Sequence, residues 1–159
     1  MAFQIRSEII KNNRLFLVTS SPSNDNIDNY IKELKKRNID IVIKLNEKNM
    51  YDTTKFKENN IDFIHIEIED GHNPTKDNII KLIEILNKYN NICMHCTAGL
   101  GRAPLIMSLI LILQFNQDSY DTAIEIRKLI PNCLNSMQID FIVNFKKNKY
   151  IKKKSCNIM

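Results

Sequence analysis

Residues 92–115 constrain this chain more than any other stretch. An apolar run, Ile92-Cys93-Met94, enters the string His95-Cys96-Thr97-Ala98-Gly99-Leu100-Gly101-Arg102-Ala103-Pro104, and a strongly apolar segment, Leu105 to Phe115, leaves it. The order reads as a buried strand, a tight glycine-containing loop and a helix. Gly99 and Gly101 let successive backbone N–H groups turn inward, which makes a nest for an anion. The following helix adds its positive N-terminal end. Pro104 suits the first helical turn, where a missing N–H costs nothing.

Cys96 and Arg102 stand six positions apart, so the loop carries a thiol at its base and folds a guanidinium over the same cavity. A thiolate there faces a dianion held by a bidentate guanidinium and by the N–H groups of Thr97, Ala98, Gly99, Leu100, Gly101 and Arg102. This pattern points to attack on a phosphate monoester, with no metal and no other cofactor. The bare spacing also fits a plainer structure, in which a glycine loop closes a strand–helix unit around a structural Cys96 and a surface Arg102. A zinc site from Cys93, His95 and Cys96 is disfavoured, because neighbours in a strand alternate faces and Cys96 points away from the other two.

Charge matters only once it is located. The chain of 159 residues has a net charge of +5, but six lysines and no acidic residue lie from Lys146 onward. Residues 1–145 hold the remaining 17 basic residues against 18 acidic ones, a net of −1. The expected division is therefore a folded domain over 1–145 and a polybasic tail over 146–159. A near-neutral domain argues against a nucleic-acid-binding face. The longest apolar stretch, Ala103 to Phe115, is too short to span a bilayer, and no basic-then-apolar leader opens the chain. Cys93, Cys96, Cys133 and Cys156 do not suggest a disulfide framework in a chain this long, which favours a reducing cytosol.

Taken in order, Phe3–Ile10 and Leu15–Val18 read as strands joined around Lys11-Asn12-Asn13. Ile27, Tyr30, Ile31 and Leu34 recur at helical spacing. Ile39–Leu45 reads as a central strand, residues 46–60 as polar connection, and Ile61–Ile68 as another strand ending in the loop Glu69-Asp70-Gly71-His72-Asn73-Pro74. Asn73 caps the next expected helix with Pro74 at its first position, and Ile79, Leu82, Ile83 and Leu86 form its buried stripe. Asp118 or Ser119 starts a helix that stops at Pro131, and Asn135 starts the last one. The alternation predicts an α/β fold: one central, mainly parallel sheet with helices on both faces. The glycine loop then lies at the carboxyl end of a strand, where such sheets bind ligands.

Cys-x5-Arg preceded by His is the signature of the protein tyrosine phosphatase superfamily. The longer string, Cys96 through Pro104 with Ala103 after the arginine, resembles the phosphatase of regenerative liver (PRL) family, and Tyr51-Asp52-Thr53-Thr54 is found there too. The resemblance implies a dual-specificity-type phosphatase fold and assigns roles. Cys96 is the nucleophile, and Arg102 binds two phosphoryl oxygens with a planar fork that lysine lacks. Asp70 is the general acid that protonates the leaving oxygen. It lies on a loop after a strand and before the cysteine, within Glu69-Asp70-Gly71, which resembles the family's Asp-Asp-Gly. The usual aromatic–proline pair upstream is absent; Glu67 and Ile68 stand near there. A solvated acidic turn is the alternative there. His95 organises the loop.

Gln138 positions the hydrolytic water, as a glutamine does in related phosphatases, or serves with Asn135 as a helix-capping pair. Ala103 departs from the Ser or Thr usual in Cys-x5-Arg enzymes and so removes a hydroxyl that assists the departing thiolate. The family's second, regulatory cysteine is missing from residues 44–50. Cys156-Asn157-Ile158-Met159 matches a prenylation box, farnesyl by its Met, behind a lysine-rich segment. The implied location is the cytoplasmic face of an anionic membrane. The implied substrates are phosphoproteins or phosphoinositides. An alternative role is a slow, switchable binding module that docks a CNNM-type magnesium transporter through the same pocket.

Overall fold

The computed structural model describes residues 2–151. The tail residues 152–159, including Cys156, lie outside them. Five strands form one sheet in the order β1-β2-β5-β3-β4. Strands β1 (Ile5–Lys11) and β2 (Arg14–Ser20) make an antiparallel hairpin. Its two-residue turn, Asn12-Asn13, has positive φ at both positions, the geometry that matches strand twist. Strand β2 then pairs in parallel with β5 (Ile92–Cys96), β5 with β3 (Ile41–Lys44), and β3 with β4 (Asp62–His65). All four parallel strands therefore end on the same edge of the sheet, with β5 in the middle.

Helices cover both faces, as the alternation predicts. On one face α1 (Ile27–Lys36) and α2 (Thr54–Glu58) bury Tyr30, Leu34 and Phe56 against Leu17, Val42 and Cys93. On the other, α3 (Lys76–Lys88), α4 (Arg102–Phe115), α5 (Ser119–Leu129) and α6 (Ser136–Val143) pack over Phe16, Val18, Ile43 and Met94. Helix α4 is buried from Arg102 through Leu113, all round its circumference. Such a helix cannot sit on a surface. Each fully buried Leu or Ile in it contributes about 1.5–3 kcal/mol of transfer free energy. Its one buried hydroxyl, Ser108, donates to the Pro104 carbonyl one turn back.

Three local expectations are corrected. The first turn of α3 is capped by Thr75, not Asn73: Thr75 Oγ1 accepts from Asn78 N–H while Asn78 Oδ1 accepts from Thr75 N–H. Pro74 therefore precedes the helix. The strand expected over Ile61–Ile68 closes at His65, although Ile66 and Ile68 N–H still reach Lys44 and Leu45 carbonyls. The polar connection over residues 46–60 contains α2, opened by Asp52, whose carboxylate accepts from Thr54 N–H and Oγ1. After α6 a single 3₁₀ turn, Lys147–Lys149, brings Tyr150 to stack on Phe145 at 5.2 Å. Among the described residues no helix is long and apolar enough to cross a membrane.

Candidate active site

The site forms where β2, β5, β3 and β4 end. Cys96 closes β5, nearly fully buried, and α4 begins at Arg102, so the connecting loop is short and sealed between a sheet and a buried helix. Gly99 has φ +73°, and a Cβ there would stand 2.7 Å from the Thr19 carbonyl. Only glycine fits that backbone. Gly101 has no such constraint: a Cβ would meet the Gln138 amide at 3.4 Å.

The loop's carbonyls are tied to the body of the protein. Ser21 N–H donates to Thr97 O at 3.0 Å, Leu134 N–H to Leu100 O at 2.8 Å, and Arg6 Nε to Ala98 O at 3.0 Å. Among the described residues, no turn, loop or capping hydrogen bond to a backbone carbonyl uses the backbone N–H of Thr97 through Arg102. A planar peptide points its C=O and the following N–H to opposite sides. The ties therefore leave the N–H groups of Ala98, Gly99 and Gly101 free for an anion, helped by the N-terminal end of α4.

Arg102 gathers the site together. Its guanidinium is 2% exposed and spans three loops. One terminal nitrogen donates to the Glu47 carboxylate at 2.6 Å and to Ile68 O at 3.0 Å. The other lies 3.2 Å from Thr97 Oγ1 and 3.1 Å from Asp70 Oδ1. Asp70 itself is 83% exposed. Its loop is held by His72, paired with the Asp70 carbonyl at 2.9 Å, and by Asn135, whose side-chain amide donates to Gly71 O at 2.9 Å. The structure thus brings Cys96, Arg102 and Asp70 to one sheet edge, as their sequence order suggests.

Gln138 serves as the capping partner expected of it, and its other side-chain atom turns toward the loop. Its Oε1 accepts from Asn135 N–H at 3.0 Å and closes the capping box of α6. Its Nε2 is buried, without a hydrogen-bond partner, beside Gly101. His95 is wholly buried; Nε2 shares a hydrogen with the Tyr51 hydroxyl at 2.6 Å. Burial pushes its pKa down to about 3, so the ring is neutral. Ala103 is buried and carries no hydroxyl beside the loop. Cys93 faces the α1 side, where Tyr30 Oη lies 3.2 Å from its sulfur and burial pushes the thiol up to about 12. Cys96 packs with the opposite cluster. Among the described residues, no three His, Cys, Asp or Glu side chains are grouped to hold a metal.

Sequence reasoning passes over Glu47, Tyr51, Asn135 and Arg6 as site residues. Glu47 leaves a trace: it is the only acidic residue between Lys44 and Tyr51, directly after a strand whose end faces the site. The others are found only through the tertiary structure.

A family model described as a polymorphic toxin system DSP-PTPase phosphatase matches residues 19–116. Together with the sheet, the Cys96–Arg102 loop and the acid beside it, that match defines a cysteine-dependent phosphatase of the dual-specificity type. A protein tyrosine phosphatase structure from Leishmania major superposes with a TM-score of 0.76 at 29% identity, covering 84% of this chain and 88% of its own. PRL-1 phosphatase of Drosophila melanogaster is 34% identical over 155 residues, 90% of this chain and 86% of its own. Protein tyrosine phosphatase PRL-1 of Leishmania major is 31% identical over 144 residues, covering 83% and 82%. The chain belongs to the PRL family and is a protein tyrosine phosphatase.

Proposed function

We propose that the enzyme hydrolyses phosphate monoesters through a phospho-Cys96 intermediate. The thiolate attacks phosphorus in line with the leaving oxygen. Arg102 and the loop N–H groups hold the remaining oxygens as charge develops on them. Asp70 protonates the leaving alkoxide or phenolate. A water placed by the free Gln138 amide then attacks phosphorus, Asp70 takes its proton, and Cys96 departs as thiolate. With Ala103 beside the loop, no hydroxyl assists that departure, so hydrolysis of phospho-Cys96 is the slow step.

The reading rests on one observation: a single buried guanidinium contacts both the phosphate loop, through Thr97, and the acid loop, through Asp70. The test is turnover of an aryl phosphate by wild type and Cys96→Ser, with intact-mass detection of a phosphoenzyme. The wild type turns over and gains one phosphoryl group; Cys96→Ser does neither. Turnover by Cys96→Ser at the wild-type rate excludes the mechanism.

The substrate reading is a phosphoprotein or phosphoinositide at the cytoplasmic face of an anionic membrane. Its support is the prenylation box at Cys156 and the lysines before it. Mass spectrometry of the native protein distinguishes a processed, farnesylated Cys156 from an intact Met159. A second reading, docking of a CNNM-type magnesium transporter in the same pocket, draws on the slow step at Ala103. Asp70→Ala then spares binding while Arg102→Ala abolishes it.

A further inference from the structure

The three carbonyl ties of the phosphate loop are not alike. Those at Thr97 and Leu100 come from backbone N–H groups. The tie at Ala98 comes from a charged side chain, Arg6, 92 positions earlier in the chain. Arg6 reaches the loop because β1 is irregular there: Ile5 pairs with Thr19 and Ser7 with Val18, so Arg6 is an extra residue in the ladder. A bulge of this kind re-aims a side chain. The aliphatic stem follows the guanidinium to the loop: Arg6 Cγ stands 2.9 Å from where a Gly99 Cβ would be. The contact fixes one peptide unit. All peptide bonds among the described residues are trans. A donor holding Ala98 O therefore turns Gly99 N–H to the opposite side, toward the anion nest. The donor is a cation, which makes the bond stronger than a neutral one and polarises the peptide so that its N–H end is more positive.

We propose that Arg6 is a positioning residue of the catalytic loop: by gripping the Ala98 carbonyl from outside, it aims Gly99 N–H at the phosphate without touching substrate. The inference rests on the reading of Thr97–Arg102 as the phosphate cup. Full-length wild type, Arg6→Met and Arg6→Lys are compared for tungstate affinity by titration calorimetry, for kcat and KM on an aryl phosphate, and for Tm. Arg6→Met keeps the packing stem and loses the donor; tungstate affinity and kcat/KM fall about tenfold. Arg6→Lys keeps a charged donor of sufficient reach and restores most of both. Arg6→Leu, which also lacks a donor, gives the same comparison where Arg6→Met does not fold. Arg6→Met with wild-type tungstate affinity overturns the proposal, even with a lowered Tm. Wild type that fails to bind tungstate overturns the cup reading itself, and the two failures are thereby distinct.

Discussion

The phosphate loop and the acid loop meet at Arg102, yet they are built in opposite ways. Thr97–Arg102 lies between the central strand and a helix buried all round, with carbonyls tied by Ser21, Arg6 and Leu134. The loop around Asp70 is exposed, and its contacts include those with Arg102, His72 and Asn135. Anion binding requires donors fixed before the substrate arrives, since reorganisation during reaction weakens electrostatic stabilisation. Proton delivery requires a group that adjusts to leaving oxygens of different reach. The tied carbonyls of one loop and the exposed carboxylate of the other suit these two needs.

The largest expected effect tests rigidity directly. Gly99→Ala forces a Cβ into the Thr19 carbonyl, whereas Gly71→Ala, at φ +74°, meets only the Asn135 amide at 3.5 Å. The phosphate-loop variant loses about 10²–10³-fold in kcat/KM together with tungstate affinity. The acid-loop variant bears mainly the backbone strain, about 1–2 kcal/mol, and keeps tungstate affinity. Equal losses would erase the distinction between the loops. Next in size, Asp70→Asn lowers kcat/KM about 10²–10⁴-fold on alkyl phosphates, less on aryl phosphates whose leaving group needs less help from an acid, and tungstate affinity holds or rises, because the carboxylate that shares Arg102 is gone. Loss of that affinity would move Asp70 into the binding machinery.

The fold was legible wherever local chemistry and burial agree. Ile92–Phe115 is such a place: apolar strand, glycine loop and a helix with no polar face specify a buried unit. The acid loop was legible only in outline, because Pro74 and Asn73 imitate a helix start that Thr75 supplies instead. Glu47 and Tyr51 act across strands, and nothing in their own segments announces His95 or Arg102 as partners. Arg6 is hidden for a different reason. A bulge is a matter of register between two strands, and an isolated strand sequence does not carry it.

Smaller effects sharpen the picture of the phosphate side. Ala103→Ser supplies a hydroxyl beside the loop and raises steady-state turnover several-fold, while the rate of phosphoenzyme formation is unchanged. Rapid-quench measurement of both steps checks it, and an unaltered second step refutes the assignment of Ala103. The smallest effect near neutral pH concerns His95. Its folded-state pKa, about 3, lies below the unfolded value of about 6.5. The unfolded chain therefore takes up a proton first. Stability is full above about pH 6.5 and falls as pH drops toward 3, by up to about 1.4 kcal/mol per pH unit. Urea melts of wild type and His95→Asn between pH 7 and 5 compare the slopes; the variant's is flatter.

The guanidinium of Arg102 meets Glu47 and Asp70 before any phosphate does. On the mechanism proposed above, a substrate enters by exchange: its oxygens compete with Asp70 for one nitrogen, while Glu47 keeps hold of the other. The carboxyl group set loose by that exchange is the one the chemistry needs next. That mechanism makes arrival of the substrate and release of the acid a single mechanical event, and under it an anion too weak to displace Asp70 leaves the catalyst unarmed.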